Sequence, residues 1–198
     1  MTKHKSQDER RGQILTAAKT CFIRNGYANT RVDDIANEAA LSKGGVYFHF
    51  KSKRAILDAL YEQQRAETMA VVSGVNAANH DPAEQLRALA VGLLLHFNRA
   101  EDQRKFLIVL AEMGIRDPDL HQSIRDAHQR YVDALTSQIA NGVELGTFRK
   151  VDPRQTALLL KMIIDGIEQG LALGYDIDVN ALLPAGLDVL LGGLLSRD

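Results

Sequence analysis

Apolar residues recur at spacings of three and four along almost the whole of this 198-residue chain. In the segment 8–25, Ile14, Ala18 and Phe22 fall on one face of a helix, and no segment shows the sustained alternation of a half-buried strand. The pattern predicts an all-α protein of about nine helices, with Gly142 and Gly146 ending the seventh. Residues 1–53 form a three-helix head in this interpretation, and residues 54–198 form a larger helical-bundle body.

The head contains two short helices joined by a tight turn. The segment 31–39 reads as one helix, with Thr30 as its N-cap and Asp33 as the acidic partner in a capping box. The segment 43–49 reads as the next, with Ser42 as its N-cap. This arrangement predicts a helix-turn-helix, in which the first helix supports a second whose N-terminus enters the major groove of DNA.

Charge is divided unevenly between the two parts of the chain. The first 54 residues hold 11 Lys/Arg against 5 Asp/Glu, whereas the remainder holds 13 against 20, so that the net charge of −1 conceals a basic head. A basic N-terminal segment of this kind is typical of a nucleic-acid-binding head.

The second short helix carries side chains suited to DNA. Ser42, Lys43, Gly44 and Gly45 meet the duplex first, and the paired glycines let the backbone approach closely. We expect Tyr47 and His49 to donate hydrogen bonds to phosphates, with Lys53 and the free N–H groups at the start of the fourth helix sharing one more. Val46 and Phe50 are expected to point inward.

The run 30–36 (TRVDDIA), followed by 39–53 (AALSKGGVYFHFKSK), resembles the N-terminal signature of TetR-family regulators, as does the preceding pattern from Ile14 to Thr30. The resemblance covers about the first sixty residues and implies a homodimer whose two heads meet successive major grooves of a palindromic double-stranded DNA operator. It further implies a repressor that a small molecule bound in the body releases from DNA. The DNA contacts that it implies are Thr30, Arg31, Ser42, Lys43, Gly44, Tyr47, His49 and Lys53, and Gly45 stands among them.

Two features of the body predict a dimer interface. Gly166, Gly170 and Gly174 recur every four residues, which permits close approach between helices. The last helix holds more leucine than one buried face requires. Burial wholly inside one subunit remains the alternative reading of these residues. The predicted interface comprises the three glycines with Leu187, Leu190, Leu191 and Leu194.

Polar or polarisable side chains lie among apolar ones in the middle helices, and some are expected to line a ligand cavity. For any one of them, an ordinary core or surface role is an equal alternative. Because the body has few aromatic residues and no basic cluster, a mainly apolar effector is favoured. The candidate residues are His96, Phe97, Phe106, Met113, His128, Tyr131, Met162 and Asp165.

Other classes of protein find little support. The sequence lacks HExxH, GxSxG, P-loop and dinucleotide motifs, so no enzyme, metal site or cofactor is expected. The N-terminus lacks the apolar core of a signal peptide, and no apolar stretch reaches the roughly 20 residues of a membrane span. A cytoplasmic location is therefore expected. The rival hypothesis is a helical adaptor or scaffold whose helix-turn-helix no longer binds DNA.

Overall fold

The computed structural model describes residues 6–78, 81–99 and 101–195, and within these ranges the chain folds into nine helices without a strand. No helix there is long and apolar enough to cross a lipid bilayer. The all-α prediction is confirmed. The helices are α1 (Gln7–Asn25), α2 (Val32–Glu38), α3 (Lys43–His49), α4 (Lys53–Ala78), α5 (Pro82–Arg99), α6 (Glu101–Arg116), α7 (Pro118–Glu144), α8 (Pro153–Ala172) and α9 (Val179–Leu194).

Local hydrogen bonds define where the head helices begin. Ser6 and Glu9 form a reciprocal capping box at the start of α1, where each side chain accepts from the other residue's backbone N–H. Ser42 caps α3 as predicted, because its hydroxyl oxygen accepts from the N–H of Gly45 at 3.1 Å. The predicted cap of α2 is wrong by one residue. The N-cap is Arg31, whose N–H donates to the Asp34 carboxylate at 2.7 Å.

The turn between α2 and α3 depends on Ala40. Its φ of +51° lies in the left-handed region that alanine adopts at a cost. The N–H of Leu41 donates back to the carbonyl of Ala36 at 2.8 Å, which closes the end of α2. This turn sets the angle at which α3 leaves its supporting helix.

The head core continues into the body without a break. Ile35 of α2, Val46 of α3 and Phe50 pack with residues from the first turns of α4, including Leu57. Fully buried Phe106 of α6 belongs to the same cluster. The boundary predicted between residues 53 and 54 falls at the first turn of α4, and that turn is shared by both parts of the protein.

A second core holds the body together. It contains Leu93 of α5, Val132 and Ile139 of α7 and Ala157 of α8, together with Phe148 from the loop between α7 and α8. Gly142 does not break α7, contrary to the prediction. Its missing side chain makes room for the ring of Phe148, and α7 ends two residues later at Glu144.

Candidate nucleic-acid interface

Helix α3 presents one exposed face and one buried face. Ser42, Lys43, Gly44 and Tyr47 are exposed, and Gly45 is half-buried, whereas Val46 is fully buried. Phe50 closes the inner side, where the guanidinium of Arg11 lies 4.2 Å from its ring centroid. The structure therefore brings the predicted contact residues of α3 together on a surface open to a ligand as large as DNA.

Lys43 has a partner in the free protein. Its ammonium donates to the Asp33 carboxylate of α2 at 2.8 Å, and both side chains are about half exposed. This hydrogen bond raises the pKa of Lys43 above its ordinary value, so the side chain is a cation at any physiological pH. Because an exposed pair of this kind is weak, it can exchange for a nucleic-acid partner.

Phe48 is an exposed aromatic residue that is absent from the predicted DNA contacts. Its side chain is 71% exposed at the end of α3, and its ring forms a T-shaped contact with the half-buried His49 ring, with 5.1 Å between the centroids. An exposed aromatic side chain of this size on α3 suits apolar contact with thymine methyl groups. Phe48 lies within the quoted signature, and its position between Tyr47 and His49 could have indicated it.

Thr30 does not supply a side chain for DNA, contrary to the prediction. It is 1% exposed, and its hydroxyl lies 2.8 Å from the carbonyl oxygen of Gly26 and 3.2 Å from that of Cys21. The side chain thus ties the loop before α2 to the end of α1. Its neighbour Arg31 is exposed and remains a candidate.

Lys53 faces the head rather than solvent, which corrects its predicted role as a free phosphate ligand. Its ammonium donates to the carbonyl oxygens of Tyr27 at 2.6 Å and Thr30 at 2.7 Å, with that of Ala28 at 3.4 Å. An ammonium group can donate three hydrogen bonds, and these three carbonyl oxygens accept them. Burial lowers the pKa of Lys53 below its ordinary value. The residue thus fastens the α1–α2 loop to the start of α4.

Replacing Lys53 with methionine is expected to lower the free energy of unfolding by about 2–4 kcal/mol, because carbonyls are left without their charged donor. Lys51→Met, at an exposed neighbouring position, is the matched control and is expected to change stability by under about 0.5 kcal/mol. Urea unfolding of both variants measures the difference. Equal stability of the two variants, with DNA binding lost only in Lys53→Met, would instead assign Lys53 to a phosphate.

The body contains a cavity of about 280 Å³ between α4, α5, α6, α7 and α8, which we call the polar cavity. Four predicted ligand residues line it, namely Phe97, His128, Tyr131 and Asp165. Gln64 of α4 and Glu168 of α8 also line it and were missed. No local pattern marks them, because residues from distant helices meet there only in the folded protein.

The other four predicted ligand residues do not line the polar cavity. Phe106 is fully buried and Met113 half-buried in the core shared with the head. Met162 is half exposed on α8, and His96 lies beside Phe97, with 5.7 Å between ring centroids. Helical periodicity gives the face of each residue on its own helix, but it does not say which neighbour covers that face.

A second cavity, of about 400 Å³, lies between α5, α7, α8 and α9 and is referred to below as the apolar cavity. Apart from Tyr131, its lining is aliphatic, including Leu89, Leu135 and Leu183. Tyr131 and Ile164 line both cavities, so the two adjoin at these side chains.

Several predicted interface residues have roles within one subunit. A Cβ atom at Gly170 would lie 2.9 Å from Ile177, so this glycine admits the loop after α8. Gly174 has a φ of +78°, which explains it as a helix-terminating residue. Leu191 and Leu194 are buried in the body core. Gly166 has open space above it, and Leu187 and Leu190 are half-buried.

The three-helix head with its exposed reader helix, joined to an α-helical body with internal cavities, defines a helix-turn-helix transcriptional regulator. Residues 14–60 match the model described as bacterial regulatory proteins, tetR family, and residues 79–172 match the tetracyclin repressor-like C-terminal domain. The HTH-type transcriptional regulator YfiR of Bacillus subtilis (strain 168) is 30% identical over 181 residues, which cover 86% of this chain and 83% of that protein. The chain belongs to the TetR family of bacterial regulatory proteins.

Solved structures share the fold over nearly the whole chain. A transcriptional regulator from Saccharomonospora viridis in complex with choline has a TM-score of 0.84 at 24% identity, covering 96% of this chain and all of that one. SmeT, the repressor of the Stenotrophomonas maltophilia multidrug efflux pump SmeDEF, has a TM-score of 0.76 at 25% identity, covering 94% and 91%.

Proposed function

We propose that the protein is a homodimeric cytoplasmic repressor, which a small, mainly apolar ligand releases from a palindromic operator. The observation that carries the DNA-binding role is the exposed face of α3, where Lys43, Tyr47 and Phe48 point outward from a buried core. The basic balance of the first 54 residues supplies the attraction to phosphates. SmeT is named a repressor, which favours repression as the mode of action here.

An exposed apolar stripe on α8 supports the homodimer. Leu159, Met162 and Gly166 follow one another at helical spacing, and the first two are half exposed or more. Val189 of α9 is 74% exposed. A second copy of the chain would remove these apolar surfaces from water and would carry a second reader helix to the next major groove.

The cavities support the ligand-responsive role. The polar and apolar cavities together offer the space of a small organic molecule, and most of their lining is apolar. Head and body share a packed core through Phe106, so a ligand that moves the body helices acts on the head.

Footprinting on DNA that flanks the gene, combined with sedimentation of the free protein, tests the proposal. We expect a two-fold-symmetric protected site, salt-sensitive binding and a particle of twice the chain mass. A monomer, or a dimer that binds no symmetric duplex at low salt, contradicts the proposal and favours the adaptor.

Replacing Lys43 with alanine is expected to relax operator choice at one position in each half-site, with discrimination there falling tenfold or more. The reason is that its charged ammonium lies at the exposed N-terminus of α3 and is held only by the weak pair with Asp33, which a guanine edge can replace. Selection of operators from a random library measures the preference, and Lys150→Ala on the body surface is the control. If the base preference is unchanged and the slope of log affinity against log salt concentration falls by about 1 per head, Lys43 contacts a phosphate instead of a base.

A further inference from the structure

The polar cavity contains a buried acceptor without a donor. The amide of Gln64 donates through Nε2 to the carbonyl oxygen of Gln103 at 3.3 Å, and this bond fixes the orientation of the amide. Its Oε1 atom is buried and has no hydrogen-bond donor among the described residues, and the residue as a whole is only 9% exposed. Such an atom costs free energy unless a ligand or water donates to it.

Glu168 adds a second acceptor to the same cavity. In the described part of the chain its carboxylate forms no hydrogen bond and no ion pair. Burial, reinforced by the negative charge of Asp165, raises its pKa to about 7. The group therefore gains stability from any cation that comes close to it.

None of the described positive groups around Glu168 pairs with its carboxylate. Lys161 pairs with Asp165, and its ammonium lies 5.3 Å from the ring centroid of Tyr131. On α4, Arg65 pairs with Glu62. On α6, Arg104 donates to the carbonyl oxygen of Phe97 through one terminal nitrogen, whereas its Nε is buried without an acceptor in the described ranges. Its charge, with that of Lys161, lowers the pKa of Glu168 without pairing with it. Two residues of α7, His128 and Tyr131, also line the polar cavity. The Tyr131 hydroxyl is buried and has no hydrogen-bond partner in the part of the chain that the structure describes.

We propose that the effector is an amphipathic amine, a protonated primary or secondary ammonium that carries an apolar tail. The ammonium donates to the Glu168 carboxylate and to Oε1 of Gln64, and the tail passes Tyr131 and Ile164 into the apolar cavity. The inference rests on the proposed function, because it names the ligand class of the same body site.

Two consequences separate this ligand class from other amphiphiles. A quaternary ammonium has the charge but no N–H, so it leaves Oε1 of Gln64 unpaired and binds more weakly. An anionic head of equal size meets the Glu168 carboxylate and is repelled. Lengthening the tail by one methylene raises affinity by about fourfold while the apolar cavity has room.

Isothermal titration of the full-length protein with four probes, each built on one unbranched eight-carbon chain, tests the inference at pH 8. Octylammonium is expected to bind at least tenfold more tightly than 1-octanol or octanoate. The affinity of octyltrimethylammonium is expected to lie between that of octylammonium and those of the two uncharged or anionic probes. Glu168→Gln is expected to abolish the preference by weakening octylammonium binding at least tenfold. Glu144→Gln removes an exposed carboxylate at the end of α7, outside the residues that line the two cavities, and is expected to keep the preference.

Lowering the pH from 8 to 6 provides a second readout. Octylammonium affinity is expected to fall about tenfold in the wild type, because Glu168 takes up a proton across its pKa of about 7, and to fall much less in Glu168→Gln. Equal or tighter binding of 1-octanol or octanoate, or no binding by any probe, overturns the inference. Operator release by 1-octanol or octanoate leaves the proposed repressor function standing, whereas a protein that binds no operator fails that function independently.

Discussion

The Phe106→Ala variant is expected to have a free energy of unfolding about 3–5 kcal/mol lower than the wild type, because removal of a fully buried aromatic ring creates a cavity. Phe106 stands on α6 of the body but packs in the core that contains Ile35, Val46 and Phe50 of the head. The loss therefore falls where the two parts are joined, and we also expect operator affinity to become less responsive to ligand.

Ile115→Ala is the matched control for Phe106→Ala, since Ile115 lies on the same helix and is 85% exposed. Its effect is expected to stay within about 0.5 kcal/mol. Urea unfolding at one fixed protein concentration measures both variants, because the apparent stability of a dimer depends on concentration. A loss under 1 kcal/mol for Phe106→Ala would show that the head core does not depend on α6.

Phe106 also shows what the sequence could not tell about the body. It was a candidate for the ligand cavity with a core role as the equal alternative, and the core role is the one observed, since periodicity does not name the helix packed opposite. Gly170 is a second example. Its spacing from Gly166 indicated a helix–helix contact, whereas the loop after α8 occupies the space beside Gly170. Contacts between distant segments decide both cases.

The head was predicted more fully because its signals are local. The hydroxyl of Ser42 accepts from an N–H only three residues further along the chain, so its role as an N-cap follows from a few neighbouring residues. Lys53 departs from the prediction for the opposite reason. Its three carbonyl partners lie 23 to 26 residues earlier in the chain, and only the fold brings them under its ammonium.

Replacing Glu168 with glutamine is expected to stabilise the protein increasingly as the pH rises, by about 2–3 kcal/mol more at pH 8 than at pH 5. Burial, followed by the charge of Asp165, raises the pKa of Glu168 from the ordinary 4.5 to about 7. Between these values the native state keeps a proton that the unfolded chain releases. Stability is therefore lost as the pH rises from about 4.5 to 7, and the loss then levels off.

Unfolding of Glu168→Gln and Glu144→Gln at pH 5 and pH 8, without ligand, measures this cost directly. Glutamine has nearly the shape of the protonated carboxyl group and cannot ionise, so it removes the pH-dependent penalty and leaves the cavity lining in place. Glu144→Gln is expected to give the same small difference at both pH values, because Glu144 is exposed. A pH-independent effect of Glu168→Gln would mean that Glu168 is ionised at low cost in the native state, with its charge already compensated by Lys161 or Arg104. The cavity would then have no net attraction for an ammonium group.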